Sequence, residues 1–135
     1  MNKIAKIILI VILFGVLICT WWVTPTKMVR ISHKDVQKIE IFNGSTGEDI
    51  VISDRSEIEH IINNLKTISF KKEKISIGYM GYSFRTTIYK TNGGVYKQFI
   101  INSKNTIRKD PFFYKDSSGS IDYKYIETLF ENQNE

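Results

Sequence analysis

The chain has 135 residues, of which 42% are hydrophobic and 24% charged, and a formal net charge of +5. Its length suits a single domain, and a single cysteine excludes a disulfide scaffold. Two of the surplus positive charges, Lys3 and Lys6, precede a long apolar run. The small surplus that remains does not form the basic stripe of a nucleic-acid-binding protein, so we expect no nucleic-acid partner.

Residues 1–24 are predicted to form a transmembrane anchor. No charged residue occurs from Ile7 to Val23, and about 20 helical residues span roughly the 30 Å of a bilayer's hydrocarbon core. The two lysines before this run favour a cytoplasmic N-terminus and an extracytoplasmic remainder, by the positive-inside rule. Trp21 and Trp22 fall at the exit end, where indoles prefer the membrane interface. Membrane lipid is therefore an expected partner of this helix.

Three alternatives compete with a permanent anchor. A cleavable signal, which would release a secreted soluble domain, needs small residues near its cleavage site, but residues 17–22 are mostly bulky. A lipoprotein signal would place a small residue before its cysteine, whereas Ile18 precedes Cys19. A buried core helix is usually shorter than this run. The anchor is favoured over all three.

Residues 25–35 lack a clean period and are interpreted as a stalk, and residues 36–135 as an extracytoplasmic domain. The domain contains no cysteine, so no disulfide can stabilise it. Its first predicted elements are two strands joined by a turn at Asn43-Gly44. These strands contain alternating isoleucines, namely Ile39, Ile41, Ile50 and Ile52.

A change of period from 2 to 3.6 predicts a helix over residues 55–66. Asp54 and Glu57 form a D-x-x-E capping pair at its start. The apolar residues that follow have helical spacing and would share one face: Ile58, Ile61, Ile62 and Leu65.

Two short strands are predicted next, over residues 68–79. Apolar residues alternate there on either side of a lysine-rich stretch at 71–74. Gly78 and Gly81 indicate a bulge or bend close to the second strand.

The clearest hairpin joins strands over 82–89 and 95–101 through Asn92-Gly93-Gly94. A polar loop over 103–110 is expected to follow. Directly after Pro111, an aromatic run predicts a strand at a sheet edge, because proline has no amide hydrogen to donate.

Ser120 is the predicted cap of a closing helix. The apolar face of this helix would comprise Tyr123, Ile126, Leu129 and Phe130. The sequence thus predicts an α+β domain, in which a small antiparallel sheet of about five or six strands carries two amphipathic helices on one face.

No catalytic, cofactor or metal site is expected. His33 and His60 have no motif around them, and zinc needs three or four ligands close together. One enzymatic alternative is a cell-envelope hydrolase, since glycoside hydrolysis needs only two carboxyl groups at a set separation. Asp116 and Asp122 are the candidate pair.

Five basic side chains are candidate contacts for an anionic surface, either a cell-surface polymer or lipid headgroups: Lys71, Lys72, Lys74, Arg108 and Lys109. The alternative interpretation is that lysines on edge strands prevent aggregation between sheets.

The layout of a short basic start, one spanning helix and a cysteine-free domain rich in lysine and isoleucine resembles the small, uncharacterised membrane-anchored extracytoplasmic proteins of Gram-positive bacteria. The resemblance is one of layout, not of motif, and it implies no site residue. Together these features favour a membrane-anchored interaction or binding module with an unknown ligand, whose partner is membrane-bound or belongs to the cell wall.

Overall fold

The computed structural model describes residues 1–133; residues 134 and 135, the last two of the domain predicted over 36–135, lie outside the described part. Within residues 1–133 there are three α-helices and seven strands. Their bounds in chain order are α1 Lys3–Val23, β1 Val36–Asn43, β2 Asp49–Ile52, α2 Arg55–Thr67, β3 Ser69–Ile75, β4 Phe84–Lys90, β5 Val95–Ile101, β6 Thr106–Lys109, β7 Phe112–Ser118 and α3 Tyr123–Gln133.

The strands form one antiparallel sheet in the order β2-β1-β4-β5-β6-β7-β3. The predicted α+β class is confirmed, with seven strands in place of five or six. The extra strand is β6, in the segment predicted as a polar loop. It has four residues, and Ile107 is its one buried position, so its sequence carries almost no alternation.

The aromatic strand β7 lies inside the sheet, between β6 and β3, and not at an edge. Pro111 precedes its first residue, so the missing amide hydrogen costs the strand no ladder bond. The predicted pair of strands over 68–79 is one strand, β3, followed by a loop. Gly78 and Gly81 in this loop have φ of +87° and +86°, a left-handed conformation that breaks the strand and suits glycine.

The hydrophobic core lies between one face of the sheet and helices α2 and α3. Asp54 caps α2 as predicted, since its carboxylate accepts hydrogen bonds from the backbone of Ser56 and Glu57. The buried residues of the two helices are Ile58, Ile61, Ile62, Leu65, Ile126, Leu129 and Phe130.

The closing helix begins later than predicted. The carboxylate of Asp122, not the side chain of Ser120, accepts a hydrogen bond from the helix backbone, at 3.3 Å from the Tyr125 nitrogen. Ile121, between these two residues, is buried in the core, and its burial places Asp122 at the start of the helix.

The segment interpreted as a stalk packs against the domain. Met28 and Val29 are only 3% and 1% exposed. Thr26 forms an antiparallel bridge with Phe70 of the edge strand β3. Residues 25–35 therefore contribute to the core, and the chain leaves α1 directly alongside β3.

Candidate binding face and membrane junction

Helix α1 is long and apolar enough to cross a membrane by length and composition. None of its 21 residues is buried. This exposure excludes the alternative of a buried core helix, and it fits either a membrane anchor or a signal segment.

The exit end of α1 contacts the sheet through aromatic rings, in a cluster we call the junction: Trp21, Trp22, Lys72 and Phe112. The Phe112 ring lies edge-on to both indoles, with centroids 5.6 and 5.4 Å away. The ammonium group of Lys72 lies 4.2 Å from the centroid of the Trp21 ring and donates a hydrogen bond to the Trp21 carbonyl. The structure thus places the two tryptophans, which were predicted to lie at the membrane interface, in contact with the domain.

The five basic residues predicted as anionic-surface contacts do not form one cluster. Lys72 lies at the junction, beneath α1. Lys74 and Arg108 lie on the other face of the sheet, 5.1 and 5.9 Å from the centroid of the Phe113 ring. Lys71 and Lys109 are exposed, and neither forms an ion pair with a described residue. The structure therefore brings only Lys74 and Arg108 together.

The sheet face opposite α2 and α3, here called the open face, is covered by no described helix. A cross-strand row runs over it, because residues directly opposite each other in neighbouring strands point to the same side. The row consists of Phe42, Arg85, Ile100, Arg108 and Phe113. It places aromatic rings at both ends and two guanidinium groups between them.

Arg108 is bound to a neighbouring carboxylate. Its Nε lies 2.8 Å from Oδ1 of Asp110, and its side chain is 13% exposed. The Ser76 hydroxyl donates a hydrogen bond of 2.6 Å to the same oxygen. The Arg108 guanidinium, followed by this hydroxyl, holds the pKa of Asp110 below its ordinary value. Arg108 is thus fixed in place, with part of its charge neutralised.

The carboxylate of Glu40, on the open face, also has partners within the domain. Its carboxylate lies 2.7 Å from the Lys38 ammonium and accepts a hydrogen bond of 3.0 Å from the Tyr89 hydroxyl. The hydrogen bond from Lys38 lowers the pKa of Glu40, and the same carboxylate raises the pKa values of Lys38 and Tyr89.

Arg85 differs from its neighbours because its side chain forms no hydrogen bond or ion pair with any residue from 1 to 133. Its guanidinium carbon lies 5.1 Å from the centroid of the Phe42 ring and 5.3 Å from that of Tyr82. Two hollows of about 230 and 400 Å³ adjoin it, and both are also lined by Gln98. Arg85 is therefore an exposed cation that contacts two rings at the border of two hollows, the larger of which is also lined by Glu40 and Asp49.

Sequence reasoning missed Arg85. The alternation along strand β4 predicted that Arg85 points to the sheet face opposite the one reached by its neighbour, the core-facing Phe84. This alternation was the one signal for Arg85 in the sequence. That pattern does not reveal which sheet face stays uncovered, nor that Arg108 lies two strands away in the same row.

The carboxylates of the hydrolase alternative have separate partners. Asp116 accepts a hydrogen bond of 2.7 Å from the Asn105 amide. Asp122 lies 2.8 Å from His60 Nε2 and caps α3. Nothing in this arrangement favours glycosidic chemistry. In the part of the chain that the structure describes, no group of three or more His, Cys, Asp or Glu side chains is placed to hold a metal ion.

Comparisons of the chain with protein-family models, with curated proteins and with solved structures found no match. Function is therefore inferred from the geometry of the chain alone.

Proposed function

We propose that this protein is a membrane-anchored extracytoplasmic binding module that holds an anionic group, a carboxylate or a phosphate, on the open face of its sheet. The group belongs to a membrane-bound or cell-wall partner. The observation that carries the proposal is Arg85, an arginine without a carboxylate partner among the described residues, at the rim of two hollows.

The guanidinium group suits this role because its planar fork of N–H donors matches the oxygens of carboxylate and phosphate. The rings of Phe42 and Tyr82 restrict Arg85 before a ligand arrives, so less conformational entropy is lost on binding. Gln98, whose side-chain amide donates to Thr87 at 3.0 Å, lines the same hollows and supplies a neutral polar neighbour.

The proposed membrane anchor would support binding by keeping the domain close to its partner. Helix α1 joins the domain through the junction, so the open face stays near the membrane surface. Tethering raises the effective concentration of a binding site for a partner confined to the same surface, without adding a contact.

Binding of inorganic polyphosphate to the full-length protein in nanodiscs of zwitterionic lipid tests the proposal. Arg85→Gln should weaken binding about tenfold or more, the loss expected for charge-assisted hydrogen bonds. The matched control is Lys124→Gln, which removes one charge from an exposed position on α3 and should change binding by less than about twofold.

Equal losses from both substitutions would show that the probe responds only to overall charge, and would contradict a site at Arg85. Citrate serves as a second probe, for a carboxylate ligand. If the unaltered protein binds neither polyphosphate nor citrate, the proposal of an anionic ligand group on this face is excluded.

A further inference from the structure

A second apolar surface begins beside the junction, at the end of β3 and in the first part of the connection to β4. It is the segment from Ile75, the last residue of β3, to Met80, here called the apolar loop. Four of its side chains are large and exposed: Ile75 at 55%, Ile77 at 72%, Tyr79 at 50% and Met80 at 95%. Such a concentration of exposed apolar side chains in six consecutive residues indicates an interaction surface and not scattered surface hydrophobes.

The position of the apolar loop follows from its contacts. Ile75 is directly opposite Phe112 in the register of β3 and β7, and the Phe112 ring contacts both indoles at the exit of α1. The Ser76 amide donates a hydrogen bond of 2.8 Å to the Pro111 carbonyl, in the turn before β7. The loop therefore begins within one strand spacing of the residue that contacts the end of α1.

Basic side chains border the loop. The Lys74 ammonium lies 4.8 Å from the centroid of the Tyr79 ring, and Lys109 is exposed opposite Phe112 in β6. Two acidic residues lie close to the apolar loop. Glu73 is exposed, and the charge of Asp110 is balanced by Arg108. Apolar tips with a basic border are the pattern of segments that lie in the membrane interface, where aliphatic and aromatic groups enter the acyl boundary and lysines meet anionic headgroups.

We propose that the apolar loop is a second membrane contact, in which Ile77 and Met80 enter the interfacial layer of the same bilayer leaflet from which α1 emerges. The lipid surface is the favoured occupant because Ile75, where the loop begins, is paired with Phe112, whose ring contacts both indoles at the helix exit. The Tyr79 ring packs edge-on against Phe113 on the other face, with centroids 5.1 Å apart, so the loop passes around this end of the sheet and leaves Ile77 and Met80 exposed. The inference rests on the proposed spanning role of α1. It adds that the domain lies against the membrane at this edge of the sheet, with a fixed orientation.

The test uses full-length protein in nanodiscs of phosphatidylcholine and phosphatidylglycerol, with one environment-sensitive fluorophore per molecule. Labels are placed at Met80→Cys or Ile77→Cys in a Cys19→Ala background. The control is Ser45→Cys, an exposed position in the turn between β1 and β2, at the opposite end of the strands. A label on the native Cys19, exposed on α1, reports separately whether the helix is in lipid.

We expect labels at positions 77 and 80 to show blue-shifted emission and loss of intensity with spin-labelled lipid, whereas the label at position 45 responds only to aqueous iodide. Labels at 77 and 80 that behave like the one at 45, while the Cys19 label is quenched by lipid, would overturn the loop contact and leave the anchor intact.

Two other outcomes are distinguishable. If spin-labelled lipid leaves the Cys19 label unquenched, the spanning helix itself is refuted. Protection of positions 77 and 80 from iodide without quenching by lipid would place a protein surface, such as a second copy of the chain, on the loop and would also overturn the lipid contact.

Discussion

Single side chains on the open face are held by a few short contacts, and these contacts determine how much positive charge a ligand meets. Arg108 shares its charge with Asp110, whereas Arg85 has only ring contacts. Alternation along β4 was enough to predict which residues share a face with Arg85. The unpaired state of Arg85 could not be predicted, because it depends on strands that are distant in sequence and on the ring of Tyr82.

Asp110→Asn should strengthen binding of polyphosphate about twofold to fivefold, because the substitution removes a negative charge beside Arg108 and releases its guanidinium. Isothermal titration of the full-length protein in zwitterionic nanodiscs measures the change. The control is Glu127→Gln, which neutralises an exposed acid on α3, on the other side of the sheet from the open face. A larger gain from the control than from Asp110→Asn would contradict the role given to the Arg108 pair.

Gly44→Ala should destabilise the domain by about 1–3 kcal/mol, the usual cost of overpacking. An added Cβ would lie 2.7 Å from the nearest ring carbon of Tyr82 and closer still to its carbonyl oxygen, so the backbone of Tyr82 would have to move. Thermal unfolding measures the loss, and Ser45→Ala in the same turn is the control. An unchanged melting temperature for Gly44→Ala would show that Tyr82 is not confined there.

Asp54 predicts a dependence of stability on pH. The Ser56 hydroxyl, followed by the Glu57 amide, donates a hydrogen bond to its carboxylate and lowers the pKa of Asp54 below its ordinary value in the folded chain. A group whose pKa is lowered by folding stabilises the fold above its unfolded pKa, and this stabilisation is lost as the pH falls through the folded pKa. Denaturant unfolding at decreasing pH should show a smaller acid-induced loss in Asp54→Asn than in the unaltered chain. Identical pH profiles would contradict this role of the cap.

Some secondary-structure elements are determined by signals within a few residues, and others by pairing between strands that are far apart in sequence. The hairpins β1–β2 and β4–β5, and helix α2, were predictable because period, turn residues and cap lie within a few positions of each other. The position of β7 inside the sheet could not be predicted, because it depends on pairing with β3, which lies some forty residues earlier in the chain. The burial of Met28 and Val29 was missed for the same reason, since two apolar residues in a polar segment have no period.

The junction can be tested through the two tryptophans, which are the only ones in the sequence. Phe112→Ala removes the ring that contacts both indoles, so we expect greater quenching of tryptophan fluorescence by acrylamide. Phe113→Ala is the matched control, because its side chain points to the opposite face of β7. Equal quenching in the two variants would show that Phe112 does not shield the indoles.

The described chain combines an apolar helix with no buried residue, an aromatic junction and a sheet with one face that no described helix covers. The apolar helix at its start was predictable, because hydropathy sustained over about 20 residues is a strong signal. The orientation of the open face relative to α1 could not be predicted, because it depends on the contacts of Phe112 with α1. The binding proposal and the membrane contact of the apolar loop both require that α1 stays in the bilayer and that the domain lies outside.

The most direct test is labelling of single-cysteine variants in intact cells with a membrane-impermeant maleimide, in a Cys19→Ala background. A cysteine in place of Lys124, exposed on α3, should react fully in intact cells, and one in place of Asn2 only after permeabilisation, with the labelled chain at full length in the membrane fraction. Reaction at position 124 only after permeabilisation, or labelled protein of reduced length in the medium, would contradict an anchored extracytoplasmic domain.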